Sequence, residues 1–262
     1  MPNRQYLPKS EVKKAIEYND PQRVPMMVHQ WCNPEAFVEE KQNKVKELLA
    51  KYPYDFYAFG CQMPAMAPDP ENPEIDDQYT WVNRKVAPEE NTGLDSANYI
   101  SDWNQIEEIL ENFPRADHPG IFNDLEQHMK NAGDKYTIFS YGYCFFERIW
   151  SLRGMQNIML DFYDHPDEVG AFFNALADFY VGLINRAAEL GEIDGIFVTD
   201  DIGMQTGTMF NYNIFEKFFK PCYEKIFSAA HSNGLHFWLH TCGDVTKFMD
   251  DLIEIGLDVI HP

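Results

Sequence analysis

Six short apolar runs, separated by stretches of helical spacing, constrain this chain more than any other feature. They are Val24–Trp31, Asp55–Gly60, Tyr136–Tyr143, Asp194–Thr199, Leu235–His240 and Leu257–Ile260. Strand and helix in alternation predict an α/β fold with a parallel sheet covered by helices. The runs are apolar nearly throughout, as strands buried on both faces must be. Doubly wound sheets and TIM barrels both meet that description. Polar or reactive residues at the run ends, namely His29, Tyr141, Asp200 and His240, favour the (β/α)8 TIM barrel. Such a barrel builds its site on the C-terminal rim of its strands. The series stops just after a strand, so the expectation is one barrel domain over residues 1–262, ending two βα units short of eight.

Between the runs, helical spacing is read over about 35–51, 102–113 and 122–131. The clearest helix starts at His165-Pro-Asp-Glu168, with proline and acids in its first turn. Val169, Phe172, Phe173, Leu176, Phe179, Tyr180, Leu183 and Ile184 then recur at 3.6-residue spacing, a stripe meant for packing on a sheet. Residues 213–233 are helical in pattern, with a break expected at Pro221, where the proline starts the second piece. Gly234 and Gly256 are expected to close the helices before them. Residues 61–100 are rich in Pro, Asn, Asp and Glu and read as an irregular insertion, with Tyr79–Val86 as a hairpin arm.

Lys plus Arg number 21 against 42 Asp plus Glu, a net charge of −21. A surface so acidic repels phosphate backbones and anionic lipid, which argues against nucleic acid and membrane surfaces as partners. The N-terminus is polar and lacks the apolar core of a secretory signal, so a cytoplasmic location is expected. The five cysteines, Cys32, Cys61, Cys144, Cys222 and Cys242, are odd in number and form no CxxC pair, which speaks against a disulfide framework.

The chemistry concentrates in Leu239-His-Thr-Cys-Gly243. His240 and Cys242 are two apart at a strand end, so both side chains can lie on one face and reach one point. Imidazole and thiolate are ordinary zinc ligands, yet two ligands do not complete a site. The alternative is a histidine hydrogen-bonded at a strand end beside a buried thiol. Asp200 and Asp201 follow a strand directly and point to opposite faces, so at most one meets a central pocket while the other caps a neighbouring segment. Asp200 and Tyr141 are the candidate catalytic residues. His29, Trp31, Gln62, Glu147 and Asp201 are the candidate substrate contacts.

The segments Phe145-Phe-Glu-Arg-Ile-Trp-Ser-Leu-Arg-Gly154, Gly195-Ile-Phe-Val-Thr-Asp-Asp-Ile-Gly203, Phe215-Glu-Lys-Phe-Phe-Lys-Pro221, Leu239-His-Thr-Cys-Gly243 and Leu252-Ile-Glu-Ile-Gly-Leu-Asp-Val259 occur in this order. Together they resemble the uroporphyrinogen decarboxylase superfamily. The resemblance implies a TIM barrel and one of two chemistries. One branch decarboxylates uroporphyrinogen without a cofactor. The other comprises zinc-dependent methyltransferases that work with a corrinoid protein, some using a thiol such as coenzyme M.

The decarboxylase branch implies an arginine-rich segment after the first strand, where this chain has His29-Gln-Trp-Cys-Asn-Pro-Glu-Ala36. It implies an aspartate after the second strand, where Gly60-Cys61-Gln62 stands, and a tyrosine where Trp150 stands. The methyltransferase branch has an HxCG zinc motif that His240 and Cys242 match, and a further cysteine near the C-terminus, which lies beyond residue 262. By this resemblance His240 and Cys242 hold Zn2+, Asp200 orients substrate or a ligand, and Tyr141 and Trp31 line the apolar part of the pocket. The expected partners are a small methyl donor or acceptor and a corrinoid protein. The rivals are a porphyrinogen decarboxylase and a non-catalytic barrel that binds a corrinoid protein.

Overall fold

The computed structural model of the chain describes residues 6–27, 33–69, 71–72, 74–83 and 99–262. In chain order, α1 (Lys9–Ile16) and α2 (Glu39–Leu49) precede β1 (Phe56–Gly60). α3 (Ile106–Glu111) and α4 (Leu125–Ala132) lead to β2 (Tyr136–Tyr143). α5 (Phe145–Arg153), α6 (Met155–Asp164) and α7 (Pro166–Leu190) lead to β3 (Gly195–Thr199). A small ribbon of β4 (Gly203–Met204) and β5 (Gly207–Thr208) follows, then α8 (Tyr212–Ile214) and α9 (Lys220–Ser232). β6 (His236–His240), α10 (Met249–Glu254) and β7 (Val259–His261) complete the series.

The main sheet runs β1-β2-β3-β6-β7 and is parallel at every pairing. Its spatial order follows the chain without reversal. A doubly wound sheet reverses at a switch point and carries helices on both faces. Parallel crossovers are almost always right-handed, so an order without reversal gathers the helices on one face and leaves the other for the inside of a barrel. Strand order therefore decides what apolar content left open.

Two apolar layers result. Outside the sheet, β2 contributes Phe139 and Tyr141, β3 Ile196 and Val198, and β6 Phe237 and Leu239 to a core under α5, α7 and α9. α7 buries the stripe read from its spacing and adds Ala177 and Ala187. At about 1.5–3 kcal/mol for each large apolar side chain removed from water, this helix contributes heavily to holding the outer layer. Inside, Phe56, Tyr136, Ile138, Phe197 and Trp238 meet Leu7 and Val12 from the N-terminal segment. That segment closes the end where the strands start. Lys9 N–H donates to Asp134 O at 2.8 Å, and Lys13 Nζ pairs with Asp194 at 2.7 Å. The end where the strands finish carries the site.

Some expectations shift. Val24–Met27 form no strand: Met26 N–H donates to the Asp55 carboxylate and Met26 O accepts from Asp55 N–H, so this piece serves as an anchor for the approach to β1. The rest of that run, with His29 and Trp31, lies outside the described residues. Thr80 makes an isolated parallel bridge with Ala65, so Tyr79–Asn83 is no hairpin arm, and its continuation also lies outside. The break at Pro221 takes the form of a π-helical turn, Phe215–Phe219, with the proline in the first turn of α9. Wider π spacing accommodates a residue that cannot donate an N–H to the turn before it. Among the described residues no helix is long and apolar enough to cross a membrane.

Candidate metal centre

The register of three adjacent strands builds this site. Thr199 of β3 pairs with His240 of β6, which pairs with His261 of β7, so the three stand level at the rim. His240 belongs to the inner face with Trp238, two residues apart. Beyond the strands, Asp201 and Cys242 face each other across the gap between the loops after β3 and β6. Asp201 Oδ1 accepts the Cys242 N–H at 2.8 Å, and Asp200 N–H donates to His240 O at 2.9 Å.

Asp201, His240 and Cys242 each offer a ligand atom, and these atoms lie within 4.8 Å of one another. Cys242 Sγ stands 3.5 Å from His240 Nε2, and Asp201 Oδ1 stands 3.9 Å from the same nitrogen. Ligands about 2.0–2.3 Å from a tetrahedral zinc ion stand about 3.4–3.8 Å apart, so the spacing suits one shared ion. The imidazole is set for the task. His240 Nδ1 lies 2.8 Å from His261 O, and a carbonyl only accepts. In the neutral ring Nδ1 therefore carries the proton and Nε2 turns its lone pair toward Cys242. His261 Nδ1 lies 2.9 Å from the same His240 nitrogen. Burial first, and then the Asp201 charge, hold the metal-free Cys242 thiol above its ordinary range.

Two glycines allow the loops to touch. A Cβ on Gly203 would lie 2.6 Å from Cys242 O. One on Gly243, whose φ is +82°, would lie 2.5 Å from both Gly203 C and Met204 N. Backbone thus packs on backbone, and Asp244 N–H donates to Met204 O at 2.7 Å. Larger residues would separate Asp201 from Cys242.

The other sequence candidates fall elsewhere. Asp200, read as the pocket carboxylate, is fully buried on the helix side. Its oxygens accept Phe145 N–H at 3.0 Å, Glu147 N–H at 2.9 Å and Tyr223 O–H at 2.6 Å. It caps α5, and burial pushes it up to about 7 despite those donors. The carboxylate beside the histidine and thiol is Asp201's. Tyr141 faces the helices too, stacked on Tyr180 at 4.5 Å between centroids, so it does not line the rim pocket. Gln62 follows β1, three strands from β6, and lines a separate cavity of about 260 Å³ with Asp124 and His128. Glu147 is buried in the first turn of α5, near the donors. Burial, then the Asp200 charge, push it up to about 8. Sequence reasoning missed His261, whose signal was its place two residues after Val259 on a strand beside β6. Asp201, read from the sequence as a substrate contact, supplies a third donor beside the two predicted ones.

A family model for uroporphyrinogen decarboxylase (URO-D) matches residues 84–262, well over half of the chain. The chain belongs to the uroporphyrinogen decarboxylase family. That family folds as a TIM barrel, in keeping with the single-sided winding of the sheet. Among solved structures it is similar to a methyltransferase from Methanosarcina mazei, with a TM-score of 0.55 over 97% of this chain and 75% of that one, at 16% identity. Identity that low speaks for a shared fold. No curated protein matches it in sequence. His240 ends β6, Asp201 and Cys242 follow β3 and β6, and all three lie inside the part the family model matches.

Proposed function

We propose that the chain is a zinc-dependent methyltransferase of its family, moving a methyl group between a small substrate or thiol and a corrinoid protein. The observation that carries this reading is the convergence of Asp201, His240 and Cys242 on one point at the rim. The donor set of nitrogen, sulfur and oxygen suits zinc, and the fold likeness to a methyltransferase supports the same reading. When bound, such an ion supplies Lewis acidity, which stabilises a thiolate or polarises an oxygen at neutral pH. The chain's own residues hold the geometry. His261 O fixes the His240 tautomer, the Cys242 N–H holds Asp201, and the Gly203–Gly243 contact keeps the two loops together. A thiol held there would take the methyl group on its sulfur and lose its proton, the corrinoid giving up its bond to that methyl group.

The family model's name favours decarboxylation as a second reading. A substrate with many carboxylates needs cations around it, whereas the charged group acting on Cys242 besides Asp201 is the carboxyl of Glu147. Arg148, next to Glu147 in sequence, lies over the Trp81 ring at 4.7 Å instead. The test incubates the zinc-loaded chain with methylcobalamin and 2-mercaptoethanol and follows the corrinoid spectrum. Methyl transfer is expected, abolished by chelation and reduced about 100-fold or more in Cys242→Ser. Metal-independent release of CO2 from uroporphyrinogen, without methyl transfer, would overturn the proposal.

A further inference from the structure

Glu147 is 6% exposed, and its Oε2 has no hydrogen-bond partner among the described residues. An unpaired buried carboxyl costs stability, commonly about 1–3 kcal/mol for the missing bond. The fold has fixed this side chain's position carefully. Glu147 N–H is held by Asp200 at 2.9 Å, which ties the first turn of α5 to the end of β3. The side chain stands close enough to the donors for its charge to act on Cys242, and Asp201 acts on it in return. Its oxygens nevertheless do not join the cluster whose atoms lie within 4.8 Å of one another. It therefore stands outside the set of three, on the turn that α5 anchors to the end of β3. Thr199, on the rim beside His240, is the side chain that the Glu147 carboxyl meets, which sets Glu147 at the rim, although neither Thr199 Oγ1 nor Glu147 Oε2 has a fully formed hydrogen bond among the described residues. The Glu147 carboxyl and the Thr199 hydroxyl thus adjoin each other at the end of β3, where Oε2 still lacks a well-formed hydrogen bond.

We propose that Glu147 contacts the substrate, its free carboxyl oxygen forming a hydrogen bond to the sulfur or oxygen atom that carries or receives the methyl group. The substrate class is then a small thiol, alcohol or methyl ether whose heteroatom sits between the three donors and the start of α5, with Thr199 as a second contact. This rests on the methyl-transfer reading. It also explains the retention of a destabilising group, since functional sites keep unsatisfied polar atoms that the fold alone would discard.

The test compares the zinc-loaded wild-type chain with Glu147→Met, which keeps the volume and removes hydrogen bonding, and Glu147→Gln, which keeps both. Zinc content, urea midpoint and calorimetric affinity for 2-mercaptoethanol are measured on each. All three are expected to hold zinc one to one, and Glu147→Met is expected to be no less stable than wild type. Its thiol affinity falls about tenfold, while Glu147→Gln stays within about threefold of wild type. Equal thiol affinity in Glu147→Met would overturn the contact. Loss of zinc or a lowered midpoint in both variants would overturn it too, by showing that Glu147 serves the ion or the fold. Either result leaves the methyl-transfer reading standing. Failure of zinc-loaded wild type to bind the thiol overturns both.

Discussion

Gly243→Ala is expected to destabilise the chain by about 3 kcal/mol or more and to weaken its metal affinity at least about tenfold. Two costs add. The residue sits at φ +82°, where a Cβ is strained even in open space, and here the space is occupied. The new methyl would lie 2.5 Å from two backbone atoms of the β4 segment and 2.7 Å from Met204 O, none of which can rotate away. The loops after β3 and β6 must separate, the Asp244–Met204 hydrogen bond stretches, and Asp201 moves off Cys242. Urea unfolding and metal titration of the variant read the two effects. Near-normal stability with normal metal uptake would show that the loops are not held by this contact.

Asp55→Ala is expected to cost about 3–5 kcal/mol, the range for breaking one partner out of a buried ion pair. The Asp55 carboxylate is fully buried ahead of β1. It accepts Leu7 N–H at 2.8 Å, Met26 N–H at 2.6 Å, and both Arg23 guanidinium ends at 2.7 and 2.8 Å. Removing it strands those donors and loosens the N-terminal segment that closes the inner layer. Burial opposes its ionisation, but Arg23 and the backbone donors outweigh that and hold it below the usual carboxylate range. A depressed folded pKa contributes stability that is present above the unfolded value, about 3.9, and is lost as pH falls through the folded one. The gap between wild type and variant in urea midpoint should therefore be full at pH 6 and shrink below about pH 4. A gap that does not shrink would mean that the charge contributes nothing.

The long-range pairing that makes these two sites is what the sequence conceals. α7 was legible because one solvent-facing side makes its apolar stripe stand out. β6 was legible for its run of Leu, Phe and Trp ending in histidine. Facing was not. Ile196, Phe197 and Val198 are apolar on both sides of a buried strand, so alternation does not tell which of Asp200 and Asp201 looks inward. Only the Thr199–His240 pairing settles that. Tyr141 was misplaced for the same reason, since Phe139 and Ile138 are equally apolar but belong to opposite layers. Arg23 and Asp55, 32 residues apart, share no local period that could announce a pair.

Cobalt(II) binding tests the central claim most directly, because thiolate ligation gives a sulfur-to-cobalt charge-transfer band that oxygen and nitrogen ligands do not. The wild-type chain should take up cobalt(II) one to one with that band. Cys242→Ser should lose the band, and Asp201→Asn should keep it with weaker binding. An identical spectrum and affinity in Cys242→Ser, or no uptake by wild type, would contradict a shared ion at Asp201, His240 and Cys242.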